Sequence, residues 1–224
     1  MTETHRSFDK DTWRTLIGPA LRVIDSLRHT GYGELDFRLG GGTVLMFRFN
    51  HRISKDIDIF TYDAQALSFL SPRLNEIAAR EAVDYEEQAN AVKLMLRDGD
   101  VDFIVAGPVI PTAGCEVINA GGREIVLDAT SEILAKKLLY RADSFKARDA
   151  FDMAVALALD HAAAVEALAA TRRTRPALLR RLMAMRTLTP GDLAQDIMAT
   201  EVGRPYLTGM VDALLQAIKT IDGG

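Results

Sequence analysis

The chain has 224 residues and a formal net charge of −4, and it is 48% hydrophobic and 26% charged. These proportions are those of an average soluble globular domain, which excludes a disordered or fibrous protein. No apolar run approaches the roughly 18 residues that a membrane span needs, and residues 1–10 lack the apolar core of a secretory signal. We therefore expect a soluble cytoplasmic protein with no membrane partner. Its one cysteine, Cys115, excludes an internal disulfide and a thiolate zinc site.

Hydrophobic periodicity and glycine placement predict the first elements. Apolar residues recur at helical spacing from about Phe8 to Arg28, which predicts an opening helix. Leu35–Leu39 is predicted as a short strand, and Gly40-Gly41-Gly42 turn the chain into a second helix. Asp56–Phe60 alternates polar and apolar residues as a half-buried strand does, and a further helix is predicted over Gln65–Ala82.

Two hairpins are predicted in the middle of the chain. The first turn is Asp98-Gly99, a dipeptide that favours a type I′ turn, and the second is Ala120-Gly121-Gly122. The strands that flank them are Val92–Arg97 with Val101–Val105, and Glu116–Ile118 with Glu124–Leu127.

The texture of the sequence changes after Asp128. From Thr130 onward it is rich in Ala, Leu, Met, Lys and Arg and shows no convincing strand pattern. We therefore expect an α/β domain with a mixed sheet and helices over residues 1–128, followed by an all-α C-terminal domain over residues 129–224.

The glycine turn has the form of a phosphate site. A strand that ends in glycines and enters a helix lets backbone N–H groups approach an anion, and the N-terminus of the helix adds partial positive charge. A tight structural turn explains the glycines equally well when they are taken alone.

Three aspartates are candidate metal ligands. Asp56 and Asp58 lie two residues apart on a predicted strand, so their carboxylates project from the same face. Adjacent carboxylates repel each other unless a cation compensates them, and their hard oxygens suit Mg²⁺. Asp102 lies between apolar residues on a later strand, and Asp100, on the same face but nearer the turn, is the alternative. A solvent-facing strand edge is the other interpretation of the Asp-x-Asp pair.

The combined pattern resembles a known family. Gly41-Gly42-Thr43, followed by His51-Arg52-x-Ser54-x-Asp56-x-Asp58, is similar to the signature of the AbiEii/AbiGii-type toxins, which belong to the polymerase-β-like nucleotidyltransferase superfamily. A downstream lysine (Lys136 or Lys137) and Arg148-Asp149-x-x-Asp152 extend the resemblance, which covers about Leu39–Leu157. It implies a nucleotidyltransferase-like fold for the α/β domain.

The resemblance also implies an activity and its parts. The enzyme would transfer NMP from an NTP to an acceptor hydroxyl on RNA, most simply tRNA, or on a protein. It would use two Mg²⁺ ions, or Mn²⁺ in their place. Asp56, Asp58 and Asp102 would hold the metals, and Gly41, Gly42 and Thr43 would cradle the β- and γ-phosphates. A type IV toxin–antitoxin or abortive-infection role implies a cognate antitoxin as partner.

Further residues are assigned to the nucleotide site with alternatives open. Lys137 would neutralise the leaving pyrophosphate, and Lys136 competes for that role because adjacent helix residues point about 100° apart. Arg52 is a phosphate-binding candidate, and Ser54 is expected to fix the loop by a local hydrogen bond. Arg148 and Asp152 could equally form a salt-bridged helix face. His51 is expected to make an ordinary hydrogen bond rather than bind metal or acceptor.

Other functions compete with this interpretation. A two-metal phosphodiesterase or nuclease would use the same carboxylates, although a triphosphate-cradling turn is superfluous in a hydrolase. A catalytically inactive nucleotide-binding relative has no reason to retain all three aspartates. The arginine-rich stretch Thr171–Arg186 is either a docking surface for RNA or a solvated helix face.

Overall fold

The computed structural model describes residues 11–223, so Phe8–Lys10 of the predicted opening helix lie outside the described residues. Its backbone forms two compact units. The first contains the described residues up to Val44 together with Ser54–Gly107 and Cys115–Asp128, and the second contains Leu45–Ile53, Pro108–Gly114 and the described residues from Ala129 onward. The predicted boundary at residue 128 is therefore one of several points where the chain passes between the units. No described helix is long and apolar enough to span a membrane.

A seven-stranded mixed sheet forms the centre of the first unit, with the order β3-β4-β5-β2-β1-β7-β6. The pairs β1–β7 and β2–β5 are parallel, and the other neighbours are antiparallel. The strands are β1 (Arg38–Gly40), β2 (Ile57–Thr61), β3 (Asp84–Gln88), β4 (Ala91–Met95), β5 (Asp100–Val105), β6 (Cys115–Ala120) and β7 (Arg123–Asp128).

The helices of the first unit cover the apolar side of this sheet. Helix α1 (Trp13–Ser26) buries an apolar stripe and packs on β2, β5 and α4 (Glu76–Glu81). The predicted helix over Gln65–Ala82 is instead two short ones, α3 (Ala66–Leu70) and α4. The chain breaks between them because Pro72 cannot continue a helix and Asn75 caps the next one through the N–H groups of Ile77 and Ala78.

The two hairpins differ in their turns. Gly121 and Gly122 have φ of 59° and 82°, as a type I′ turn requires. The β4–β5 turn is closed by Leu96 N–H donating to the Gly99 carbonyl over 2.8 Å, and neither Asp98 nor Gly99 has a positive φ. The predicted hairpin is confirmed but its type I′ turn is wrong. Gly99 is required instead because a Cβ there would lie 2.5 Å from the Lys55 carbonyl oxygen.

Helix α2 (Gly41–Phe49) begins in the first unit and continues into the second. It starts inside the predicted glycine turn, and it ends at Asn50, whose φ of 48° is the left-handed conformation that commonly terminates helices.

The described C-terminal part of the second unit is helical, with no strand after Asp128. Its longer helices pack on one another, chiefly α5 on α7 and α6 on α7 and α10. The helices are α5 (Thr130–Tyr140), α6 (Ala147–Leu159), α7 (His161–Ala170), α8 (Arg175–Met185), α9 (Pro190–Ala194) and α10 (Met210–Gly223), with short 3₁₀ turns between some of them.

Candidate active site

A row of directly paired residues crosses four strands of the sheet, and three of them carry charged side chains. Gly40 of β1 is paired with Asp58 of β2, and Asp58 with Asp102 of β5. Asp102 is paired in turn with Lys93 of β4. Directly paired residues of neighbouring strands project from the same face of a sheet, so both predicted carboxylates share one face. The alternate residues of these strands are buried apolar side chains, which fixes the register.

Gly41 brings the glycine turn against the carboxylate of Asp58. Its φ of 67° is unfavourable for residues with a Cβ. A Cβ at Gly41 would also overlap the Asp58 carboxylate, whose Oδ2 is the nearest atom. Glycine is therefore required here twice, by backbone conformation and by close approach. The next residue, Gly42, is buried in the first turn of α2.

Thr43 and Ser54 frame the approach to β2. Thr43 is fully buried, and its hydroxyl donates a hydrogen bond to the backbone carbonyl of Asp56. This bond ties α2 to the residue that precedes β2, which places the Asp56 carboxylate beside the row. Ser54 is buried as well, at 8% exposure. The burial of Thr43 gives its hydroxyl a structural task, whereas the resemblance implied a contact with phosphate.

The carboxyl group of Asp102 carries the electrostatic signature of this site. Burial, with the charges of Asp58 and Asp56 acting in the same direction and Lys93 opposing them, raises its pKa from 3.8 to about 7. A carboxyl with a pKa near neutrality is suited to exchange a proton at physiological pH. The crowding of Asp56 and Asp58 around Asp102 contributes to this property, and it agrees with the predicted grouping of the three acids.

Lys93 is the cation of the row, and the sequence analysis did not single it out. Its Nζ lies 3.3 Å from Asp100 Oδ2 and 3.4 Å from Asp102 Oδ2. Burial lowers the pKa of Lys93, but the charges of Asp102 and Asp100 outweigh that effect and the pKa is raised. The sequence shows one lysine between two apolar residues in Val92-Lys93-Leu94, but only the strand register places it on the face that Asp102 shares.

The donor set of the row fits a divalent cation. Within residues 11–223, no three His, Cys, Asp or Glu side chains already form a cluster that could hold a metal ion. Asp100 and Asp102 are engaged by the Lys93 ammonium. The carboxylate oxygens of Asp58, Asp102 and neighbouring Asp56 are nevertheless the hard ligands that Mg²⁺ prefers, and burial together with their mutual repulsion raises the pKa of Asp102. A cation bound there would relieve that repulsion.

A second polar cluster lies wholly within the second unit. Arg52 holds Asp152 through two parallel bonds, Nε to Oδ1 at 2.6 Å and Nη2 to Oδ2 at 2.9 Å. His51 Nε2 lies 2.7 Å from Asp152 Oδ1, while its buried Nδ1 has no hydrogen-bond partner among the described residues. Nε2 is therefore protonated and donates a hydrogen bond to the Asp152 carboxylate, which is the ordinary hydrogen bond expected of His51.

Lys137 completes this cluster. Its Nζ lies 2.6 Å from Asp149 Oδ1 and 3.1 Å from Asp152 Oδ2, and Arg141 lies 3.4 Å from Asp149. Burial alone raises the pKa of Asp152, but the charges of Arg52 and Lys137 outweigh it and hold that pKa well below its ordinary value. At formal charges three cations face two carboxylates, so the cluster keeps one positive charge for an anion.

Backbone bonds from near the C-terminus hold His51 and Arg52 in place. The carbonyl of His51 accepts from Thr200 N–H over 3.0 Å, and Arg52 forms an isolated β-bridge with Ala199. A Cβ at Gly203 would overlap the His51 carbonyl, so only glycine permits this contact.

Lys136 and Arg148 take no part in the second cluster. Lys136 is buried and pairs with Glu132 over 3.4 Å, and Glu132 accepts the N–H groups of Val109 and Ile110. Arg148 is half-buried, and within the described part of the chain it makes no ion pair or hydrogen bond. Of the two candidate lysines, Lys137 is the one that the fold brings to Arg52 and Asp152.

Comparison with known proteins decides the family. The model of the family described as "Nucleotidyl transferase AbiEii toxin, Type IV TA system" matches residues 27–220. The chain belongs to the AbiEii family of nucleotidyltransferase toxins. This confirms the resemblance carried by the glycine turn and the Asp-x-Asp strand, and it makes this AbiEii-family protein a nucleotidyltransferase. No match was found among curated protein sequences.

Two solved structures are similar to this AbiEii-family chain. The antibiotic-resistance factor ANT(2'')-Ia is 19% identical, with a TM-score of 0.53 over 79% of this chain and 99% of that one. MenT4, a nucleotidyltransferase toxin of Mycobacterium tuberculosis H37Rv, is 14% identical, with a TM-score of 0.48 over 94% of this chain and 91% of that one. At these identities the likeness to ANT(2'')-Ia shows the fold: a mixed sheet with helices, as the sequence predicted.

Proposed function

We propose that this protein transfers NMP from an NTP to an acceptor hydroxyl in a metal-dependent reaction at the carboxylate row. The observation that carries the proposal is the register of Asp58 beside Asp102, with Gly41 pressed against the Asp58 carboxylate. This arrangement brings a helix N-terminus, which favours phosphate, next to paired oxygen ligands, which favour a divalent cation. A nucleoside triphosphate bound through magnesium meets both requirements.

Each residue of the site has a distinct role in this proposal. Asp56, Asp58 and Asp102 would hold Mg²⁺ or Mn²⁺, and the bound metals supply positive charge that stabilises the attacking and leaving oxygens of the displacement. The backbone N–H groups of Gly41 and Gly42 would donate hydrogen bonds to the triphosphate oxygens. The acceptor oxygen forms a bond to the α-phosphorus as the bond to the bridging oxygen breaks and pyrophosphate leaves. Asp102 is the proposed acceptor of the proton of the acceptor hydroxyl.

The second cluster contains the lysine assigned to phosphate in this proposal. Arg52, Lys137 and Arg141 face Asp149 and Asp152, so the cluster has one net positive charge, and Lys137 is its proposed phosphate-binding residue. Arg148, with no partner among residues 11–223, offers a further guanidinium for phosphate. We propose that residues 129–224 act as a separate helical domain that contributes Lys137 and Arg148.

The acceptor proposed first is an RNA hydroxyl, with tRNA as the simplest case and a protein hydroxyl as the alternative. The arginine-rich stretch Thr171–Arg186 is partly engaged within the chain: Arg180 pairs with Asp143 and Arg186 with Asp212. Arg180 is nevertheless 72% exposed, which leaves its guanidinium open to a phosphate backbone. Family membership supports a toxin role with an antitoxin partner.

A labelling experiment tests the proposal. The protein is incubated with each α-labelled NTP, Mg²⁺ and either total RNA or a protein extract, with Asp58→Ala as the negative control. Label that enters RNA and disappears with EDTA and with the variant supports nucleotidyl transfer. Label in protein moves the acceptor to a protein hydroxyl. RNA cleavage without incorporation of label would replace the proposal with a two-metal nuclease.

A binding experiment separates an active enzyme from an inactive relative. Mg²⁺ and a non-hydrolysable NTP share the proposed site, so together they should raise the melting temperature more than the sum of the separate shifts. The Asp58→Ala variant should show no such synergy. Additive shifts in the wild type would contradict a shared site.

A further inference from the structure

The carboxylate row continues beyond the metal-binding candidates into a cation. Asp58, Asp102 and Lys93 are direct cross-strand partners on β2, β5 and β4, and the next partner of Lys93 is Glu86 on β3. All four side chains therefore project from one face of the sheet. Lys93 is the one positive charge among these four residues. It lies between the acids of the candidate site and Glu86 on the edge strand.

Lys93 is held in this position rather than free in solvent. Its side chain is 28% exposed, and its ammonium lies 3.3 Å and 3.4 Å from the carboxylates of Asp100 and Asp102. The neighbouring Val92 and Leu94 are buried at 2% and 1% exposure, which anchors the strand on the opposite face. One ammonium therefore faces several carboxylates and is the fixed counter-charge of that group.

A divalent cation and this ammonium compete for the same carboxylate. Both are attracted to Asp102, and they repel each other across a few ångströms of partly buried space, where Coulomb terms reach the kcal/mol range. Binding of a divalent cation alone is therefore opposed by Lys93. A triphosphate brings several negative charges and removes that opposition, because it compensates both cations.

We propose that Lys93 is a positioning residue that acts through Asp102, and that it makes divalent-cation binding depend on the nucleotide. This inference rests on the proposed function, since it assumes that the row binds a metal with an NTP. Without nucleotide, Lys93 holds the acids in place and keeps divalent affinity low. When the nucleotide is bound, the divalent cation binds to the carboxylates of the row.

The test measures Mn²⁺ binding to the full chain by calorimetry without nucleotide. Lys93→Met removes the charge and keeps the length of the side chain, so it should bind Mn²⁺ about tenfold more tightly than the wild type. Lys93→Arg keeps the charge and should bind as the wild type does. Lys219→Met removes one charge from an exposed position of α10 and should change nothing. Equal or weaker Mn²⁺ binding by Lys93→Met overturns the proposal.

Stability supplies a second measurement. The metal-free Lys93→Met variant should melt at a lower temperature than the wild type, because its carboxylates repel one another without a counter-charge, and Mn²⁺ alone should restore the loss. A variant that folds only with Mn²⁺ shows the same effect in stronger form. A destabilised variant that Mn²⁺ does not restore has lost a structural contact only, which contradicts the proposal.

The nucleotide dependence separates this inference from the proposed function. The wild type should bind Mn²⁺ more tightly with a non-hydrolysable NTP than without it, and Lys93→Met should lose most of that difference. Failure of the wild type to bind Mn²⁺ even with the nucleotide would sink the proposed metal-dependent function itself. Nucleotide-linked binding that is the same in both proteins would remove only the role of Lys93.

Discussion

Two pairs of aspartates in this chain lie in opposite electrostatic surroundings. Asp149 and Asp152 are fully buried and have three cationic side chains around them, so their pKa values are lowered. Asp102 and neighbouring Asp58 are only partly buried, and burial together with the charges of Asp58 and Asp56 raises the pKa of Asp102 against the opposing charge of Lys93. The first pair is satisfied by the protein itself. At the second pair, burial and repulsion between acids outweigh the attraction of Lys93.

The difference separates structural from functional acids better than burial does. A buried carboxylate whose partners are supplied by the fold contributes to stability and to the placement of its partners, and removing it leaves a buried cation without a counter-charge. A carboxylate that remains undercompensated costs stability and has a use only when something else arrives. Substitutions at Asp58 and Asp102 should therefore mainly reduce activity, and substitutions at Asp149 and Asp152 should mainly reduce stability.

The largest effect is expected at Asp58. Asp58→Ala should lower the rate of nucleotidyl transfer by at least about a thousandfold, since metal-ion stabilisation of a transition state is worth several kcal/mol. Its melting temperature should stay the same or rise, because one of several crowded carboxylates is gone. Transfer assays and thermal melts on the same preparation check both halves. Retained activity with a normal melt would remove Asp58 from the metal site.

Substitution of Asp152 should instead lower the stability of the fold. Asp152→Ala should lower the free energy of unfolding by about 3–5 kcal/mol, because it leaves Arg52 and Lys137 buried without their shared partner. The control is Asp143→Ala, which breaks the exposed ion pair with Arg180 and should cost less than about 1 kcal/mol. Denaturant unfolding measures both. Equal losses in the two variants would mean that the buried cluster is not a stabilising unit.

The pH dependence of stability should have opposite signs at the two pairs. The pKa of Asp102 is raised from 3.8 to about 7, so the folded state holds an extra proton in that window and the metal-free protein loses stability as pH rises through it, by no more than about 4 kcal/mol. The pKa of Asp152 is lowered, so its contribution is present above pH 4, approximately, and is lost as pH falls further.

Two amide variants assign these slopes. Asp102→Asn should flatten the loss of stability between about pH 4 and 7, and Asp152→Asn should flatten the loss at lower pH. Chemical unfolding of metal-free protein across the pH range measures each slope. An unchanged slope in Asp102→Asn would show that another group titrates in that window.

The smallest effect is expected from the glycine that shapes the row. Gly41→Ala combines a positive φ with an overlap onto the Asp58 carboxylate, and it should cost about 1–3 kcal/mol of stability along with transfer activity. Gly31→Ala is the matched control, because its φ is 82° but a Cβ there meets nothing within 4 Å. The difference between the two variants isolates the overlap. No difference in melting temperature or activity would mean that Asp58 moves aside freely.

The sequence predicted the carboxylate row because its signals are local. The two-residue spacing of Asp56 and Asp58 follows from strand geometry, and the apolar neighbours of Asp102 place it in a sheet. Strand β3 was missed because Asp84–Gln88 is exposed throughout and lacks a hydrophobic alternation, so only its pairing with β4 defines it. Pairing across the sheet is also what identifies Lys93.

The sequence predicted residues of the second cluster but not the contacts between them. The residues Arg52, Lys137 and Asp152 were singled out by family resemblance, but the bond between Arg52 and Asp152 joins positions 100 residues apart. No periodicity or spacing encodes such a contact. The choice between Lys136 and Lys137 likewise required the packing of α5, because both lysines are buried and each has a carboxylate of its own.

The bonds between His51 and Thr200, and between Arg52 and Ala199, have a consequence for biosynthesis. They join segments separated by nearly 150 positions, so they are among the most non-local contacts of the chain and carry a large loop-closure cost. A ribosome that has translated the carboxylate row and both lysines has still not made the residues that hold Arg52 in place. The segment that leads into the row therefore acquires these bonds only after residues 199 and 200 have been translated.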